Sequence, residues 1–221
     1  MRPIVLLLVA EVAGVLILPE RAPRGWNSFG VQTYGKRGVG PGWNESVFRT
    51  TARAMVDQGL LAKGFDTIVI DGGTSNWPDP ALFDAFGRCL PNPAVWPSSG
   101  AGGKNGWAPL ARWTHGLGLK FGVWDIRGVP TTVVEARTPI QGTSATIDQV
   151  AWRAADCPPA MARWCNCTWF PQYVGLNATH PAAAAFYASK VAMYAEWGVD
   201  LLKWDCMHDP QVGFGCIIWS I

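Results

Sequence analysis

Three short, largely apolar runs in this chain each end on an aspartate, and that recurrence narrows the possible folds most. Residues 65–70 lead into Asp71, residues 119–124 into Asp125 and residues 199–204 into Asp205. Residues 65–70 are almost wholly apolar, and a run apolar on both strand faces belongs in a parallel sheet covered by helices. Helical patterns alternate with them. Residues 45–62 space Val47, Phe48, Ala52, Met55, Val56 and Leu60 along one face, with Gly64 as the expected stop. Residues 107–115 predict a second helix, and residues 182–197 an alanine-rich third, entered through Pro181. Residues 24–29 predict a first strand.

Four βα-type units with right-handed crossovers fit half of a (β/α)8 TIM-type barrel or a small doubly wound sheet. In a barrel, the C-terminal rim is the active face, and Asp71, Asp125 and Asp205 are expected to converge there. In a doubly wound sheet they would spread along an edge or cap helices. Three in succession favour the barrel. The expected fold is therefore α/β, an incomplete half barrel, over residues 24–221. A full barrel needs about 250 residues and eight strands, so the chain reads as truncated, with two open edges of parallel sheet.

At 221 residues and 49% apolar content the chain can bury one sizeable core. A net charge of +2 with 15% charged residues leaves no footprint for nucleic acid or an anionic membrane. Thirteen tryptophans tilt the reading towards sugar, because a pyranose face stacks on indole, although large aromatics also fill cores. The apolar leader is broken by Glu11 and is too short for a membrane span, which needs about 18 uncharged residues. Residues 1–18 read as a signal peptide, a buried N-terminal segment being the other reading. Sequons at Asn44, Asn166 and Asn177 and an even count of six cysteines fit a secreted or endomembrane (lysosome or vacuole) lumen protein. Six cysteines allow fifteen connectivities. Residues 128–180 hold three of them in a stretch too long for an ordinary βα loop, as a functional or stapled insertion would be.

Lys203-Trp204-Asp205 carries the strongest chemical signal. Lys203 and Asp205 alternate along one strand and share a face. An ammonium within about 4–6 Å keeps a carboxylate ionised, as a glycosidic nucleophile requires. A buried ion pair of no catalytic use is the plain alternative.

At this point several segments resemble the α-galactosidase (melibiase) glycoside hydrolases. Arg24-Gly25-Trp26-Asn27-Ser28-Phe29 looks like their GWNS-type opening, and residues 64–71 like their aspartate-ended second strand. Asp84, Gly87-Arg88, Pro93 and Trp96-Pro97 resemble the loop before the third unit, residues 118–124 the third strand, and residues 197–206 the nucleophile strand. The resemblance implies a retaining mechanism with two carboxyl groups. It makes Asp205 the nucleophile, sets Lys203 and Asp71 on sugar hydroxyls, and lines the pocket with Trp26 and Trp124. The acid/base comes from a later strand in such enzymes, so no residue here takes that role, and Asp209 is too close to Asp205 in sequence.

The resemblance also implies a disulfide near the nucleophile; a bridge from Cys206 to Cys165 or Cys167 would pin the insertion to the rim. No cofactor or metal is implied, since Cys157, Cys165, Cys167 and His208 lack CxxC spacing. Gly72 stands where the family has a second aspartate, which removes one sugar contact. Ile126-Arg127-Gly128, Thr138-Pro139-Ile140 and the Cys-rich insertion look like a divergent plant-type branch that includes β-L-arabinopyranosidases. The implied partner is a galactoside or arabinopyranoside oligo- or polysaccharide; no stable membrane span is expected, and no feature sets an oligomeric state. A non-catalytic carbohydrate-binding remnant is the second reading. An unrelated hydrolase finds no G-x-S-x-G support. For His115 and His180, ordinary surface or capping roles suffice.

Overall fold

The computed structural model describes residues 22–30, 43–71, 82–157, 159, 165–167, 170–206 and 217–220. The expected leader, Gly72, His208, Asp209 and Cys216 lie outside them. Strands β1 (Gly25–Asn27), β2 (Thr67–Ile70), β3 (Lys120–Ile126) and β7 (Leu201–Asp205) pair side by side, all parallel. These four parallel strands form an open arc, with no closed barrel among the described residues. Strand β8 (Ile217–Ser220) pairs antiparallel with β7. The expectation of two open edges is corrected here: β7 already has an outer partner.

Helix α1 (Glu45–Asp57) begins where the Asn44 side chain accepts a hydrogen bond from the Val47 N–H. Phe48, Ala52 and Met55 form its buried face. It stops earlier than expected. Gly59, at φ 75°, donates to the Val56 carbonyl and Leu60 to that of Met55, which is a Schellman ending. Gly64 instead closes the separate 3₁₀ turn Leu61–Lys63. Helix α2 (Ala108–His115) and helix α5 (Pro181–Glu196) follow the predicted ranges to within one residue. Ring nitrogen Nδ1 of His180 accepts from the Ala182 N–H and caps α5. The Nε2 of His115 lies 2.7 Å from Asp200.

The main core fills the space between the helices and the outer sheet face. Ile68 and Ile70 of β2, Phe121 and Val123 of β3, and Leu202 and Trp204 of β7 point into it, against Phe48, Trp96, Trp107 and Met193. Their alternation fixes the opposite set (Val69 and Asp71, Trp124 and Ile126, Lys203 and Asp205) on the inner face. Gly25 is required by strand contact, since a Cβ there would lie 1.6 Å from the Thr67 carbonyl oxygen.

Residues 128–180, expected to be irregular, build a small unit of their own. Strands β4 (Val129–Pro130), β5 (Asn166–Cys167) and β6 (Phe170–Val174) form an antiparallel sheet in the order β4-β6-β5. Short helices α3 (Thr131–Glu135) and α4 (Ile147–Val150) contribute Val133, Ile147 and Val150 to a second core that closes on Ala183 and Phe186 of α5. Cys157 bonds Cys165, and Cys167 bonds Cys206. None of these four is therefore available as a thiolate ligand for a metal. No described helix is long and apolar enough to cross a membrane.

Candidate active site

Strand register brings the site together. Trp124 pairs with Lys203 and Ile126 with Asp205, so all four share the inner face. Asp71 follows β2 on that face, where its backbone N–H donates to the buried Ser28 hydroxyl at 2.8 Å. The Lys203 ammonium donates to Asp71 Oδ2 at 2.6 Å. Asp205 is half-buried and carries one donor on each oxygen: the Trp124 indole N–H on Oδ2 at 2.9 Å and the Cys206 N–H on Oδ1 at 2.6 Å. A carboxylate has about four lone-pair sites, so Asp205 keeps acceptor capacity towards the open side.

Asp71 is only 1% exposed, and the Lys203 side chain is the more exposed member of the pair. Phe29 is 59% exposed, and the Lys203 ammonium sits 5.1 Å from its ring centroid. Reading the motif by its GWNS core passed over Phe29 and gave Ser28 no role of its own. The signal for Phe29 was available: an aromatic residue straight after a strand end.

Two expected site residues lie elsewhere. Trp26 pairs with Ile68, faces the helices and packs on Trp43 at 5.1 Å between ring centroids. Asp125 pairs with Trp204 and also faces the helices, at 3% exposure. There the Lys190 ammonium and the Tyr194 hydroxyl both donate to its Oδ2 at 2.7 Å, and the Ile126 N–H donates to Oδ1. The expected convergence of three carboxylates is thus corrected to two, Asp71 and Asp205. Adjacent strand residues face opposite ways, so Trp124 and Asp125 cannot both line one pocket.

The layer around Asp125 predicts an alkaline transition. Burial, with the neighbouring Asp125 charge adding to it, raises the pKa values of Tyr173 and Tyr194. Burial also raises that of Tyr187, outweighing the Lys190 ammonium. For Lys190, burial acts downward, but the Asp125 carboxylate prevails and holds the ammonium above its ordinary value. A group whose folded pKa is raised contributes stability that is intact below its unfolded value and lost as pH climbs. All four act in the same direction, so stability should fall once pH passes about 10, the unfolded range of these groups. Phenolate absorbance is the check: Tyr173, Tyr187 and Tyr194 should ionise only as the fold is lost. Smooth titration of all four of the chain's tyrosines in a chain that keeps its circular dichroism would contradict this.

Comparisons with known proteins agree on one class. No protein-family model matches the sequence. The α-galactosidase of Cyamopsis tetragonoloba is 36% identical over 114 residues, which is 52% of this chain and 23% of that protein. Alpha-galactosidase 3 of Hypocrea jecorina is 29% identical over 195 residues, 84% of this chain and 27% of that one. Among solved structures, a family 27 β-L-arabinopyranosidase from Geobacillus stearothermophilus aligns with a TM-score of 0.67 at 28% identity, covering 83% of this chain and 40% of that chain. The chain spans 23–33% of the length of these and the other curated relatives it matches.

The arc of four parallel strands, with Asp71 and Asp205 on its inner face, is similar to part of the barrel of such glycoside hydrolases. The curated relatives it matches are α-galactosidases, and its structural neighbours include family 27 enzymes, each matched over only part of its length.

Proposed function

We propose that this chain supplies the nucleophile side of a retaining glycosidase that cleaves terminal α-D-galactosidic or β-L-arabinopyranosidic bonds. The supporting observation is Asp205, half-buried at the end of β7, with Lys203 and Trp124 beside it on the inner face. Its carboxylate attacks the anomeric carbon, the glycosidic bond breaks, and the leaving oxygen takes a proton from a second carboxyl group. Water, deprotonated by that second group, then releases the sugar from Asp205. We assign the second group to no described residue: Asp71 is held on Lys203, and Asp125 lies behind the sheet.

Lys203 has ammonium donors beyond the one given to Asp71, and these suit neighbouring sugar hydroxyls. Phe29 offers an exposed ring for the apolar sugar face. L-arabinopyranose has the ring hydroxyl arrangement of galactose without the exocyclic carbon, so a pocket of this type separates the two by only about 1–3 kcal/mol. Two disulfides suit an oxidising compartment, in line with a secreted or lumenal protein.

The test uses a leaving group that needs no acid. A 5-fluoro-galactosyl fluoride, slow to deglycosylate, should add one fluorosugar mass to the peptide containing Asp205. Labelling of a different peptide, or none, sinks the assignment. Trp124→Phe keeps the ring but removes the indole donor to Asp205 Oδ2. That bond orients the carboxylate, and a displacement of about 1 Å near the reacting groups can cost about 10²-fold in rate, so kcat for fluoride release should drop roughly 10- to 100-fold. An unchanged kcat would show that this bond does not serve the reaction.

A further inference from the structure

Helix α5 carries a lysine where its pattern calls for an apolar residue. Ala183, Phe186, Lys190, Met193 and Tyr194 make up its buried stripe, and Lys190 is 2% exposed in the middle of it. The ammonium bonds Asp125 Oδ2 at 2.7 Å and lies 5.5 Å from the Trp204 ring centroid and 5.9 Å from that of Phe186. A buried ion pair of this kind is a poor source of stability. Desolvation of both charges offsets their attraction, and apolar replacements of similar volume are often as stable or more so. Its position suggests another use. Asp125 and Trp204 are register partners across β3 and β7, and their neighbours on either side are Trp124 with Lys203 and Ile126 with Asp205. One ammonium therefore holds the midpoints of both strand triplets whose outer members form the site. The next backbone bond, from the Arg127 N–H to the Asp205 carbonyl, closes the same strand pair.

We propose that Lys190, acting through Asp125 and Trp204, is a positioning residue that keeps the Trp124 indole N–H on the Asp205 carboxylate. The catalytic meaning of that placement rests on Asp205 being the nucleophile. Hydrogen bonds weaken steeply with misalignment, and a displacement of about 1 Å near the reacting groups can cost about 10²-fold in rate.

The experiment replaces the three side chains together in the full chain, with Lys190→Met, Asp125→Leu and Tyr194→Phe, so that no side-chain partner of Asp125 is stranded. The Trp124 indole proton is followed by ¹⁵N-edited NMR and assigned with Trp124→Phe. In the native chain, Asp205→Asn should move that resonance upfield, because a charged acceptor is lost. In the triple variant, the same Asp205→Asn change should move it by less than half as much, because the indole has left the carboxylate. Fluoride release should fall in kcat with KM within about twofold, as expected when transition-state alignment rather than binding is lost. An equal NMR shift in both backgrounds overturns the proposal. So does a triple variant that fails to fold, since the cluster would then be a stability element. If the native chain releases no fluoride yet the NMR result is as expected, positioning stands and the glycosidase reading falls.

Discussion

Replacing Asp205 with asparagine should lower fluoride release from α-D-galactosyl fluoride by at least about 10³-fold, roughly 4 kcal/mol of transition-state stabilisation. The loss should fall on kcat, because the carboxylate forms its bond to carbon only as the leaving group departs. The fold should survive. Asn keeps the shape of Asp and one acceptor oxygen for the two donors now on the carboxylate, Trp124 Nε1 and the Cys206 N–H. One donor then loses its acceptor, costing about 1–3 kcal/mol at this half-buried position. A second variant separates chemistry from packing. Asp205→Gly opens room on the nucleophile's side, and azide entering there should restore turnover with a glycosyl azide of inverted configuration. An Asn variant that keeps a tenth of native activity, or a Gly variant that azide does not rescue, would remove Asp205 from the mechanism.

Three of the four parallel strands, β2, β3 and β7, were readable as short, largely apolar runs, and residues 67–70 are buried throughout. Period two also put Lys203 and Asp205 on one face, as the register shows. Asp125 was misplaced because an aspartate after an apolar run looks like a strand end. The strand in fact continues through Ile126, since Asp125 finds its partners, Lys190 and Tyr194, on a helix distant in sequence. No local pattern carries that contact, although a lysine on the apolar stripe of α5 hints at it. Trp26 was misplaced for a related reason: the motif containing it marks the strand, while the strand's alternation turns its ring to the helices. The core within residues 128–180 could not be read at all. Its members come from two short helices, a two-residue strand and turns, and none is long enough to set a period.

Breaking the Cys167–Cys206 bond by double alanine replacement should destabilise the chain by about 4 kcal/mol, from the loop entropy of a 39-residue separation. For a chain of this size that corresponds to a melting point lower by roughly 8–16 °C. Some of the loss should return, because Cys206 has φ 58°, a left-handed conformation that costs a non-glycine residue about 1–2 kcal/mol and could then relax. That relaxation is what couples the bond to the site. The Cys206 N–H donates to Asp205 Oδ1, so a backbone freed at residue 206 takes the donor away from the nucleophile. The Cys157–Cys165 bond provides the comparison. It closes a separation of only eight residues, predicting a smaller loss of about 2.5 kcal/mol, and neither cysteine adjoins Asp205. Stability should therefore fall in both double variants, measured by denaturant unfolding, while fluoride release by the folded chain should fall only when Cys206 is freed. Equal activity losses would mean that the cross-link near the nucleophile holds the insertion without orienting the carboxylate beside it.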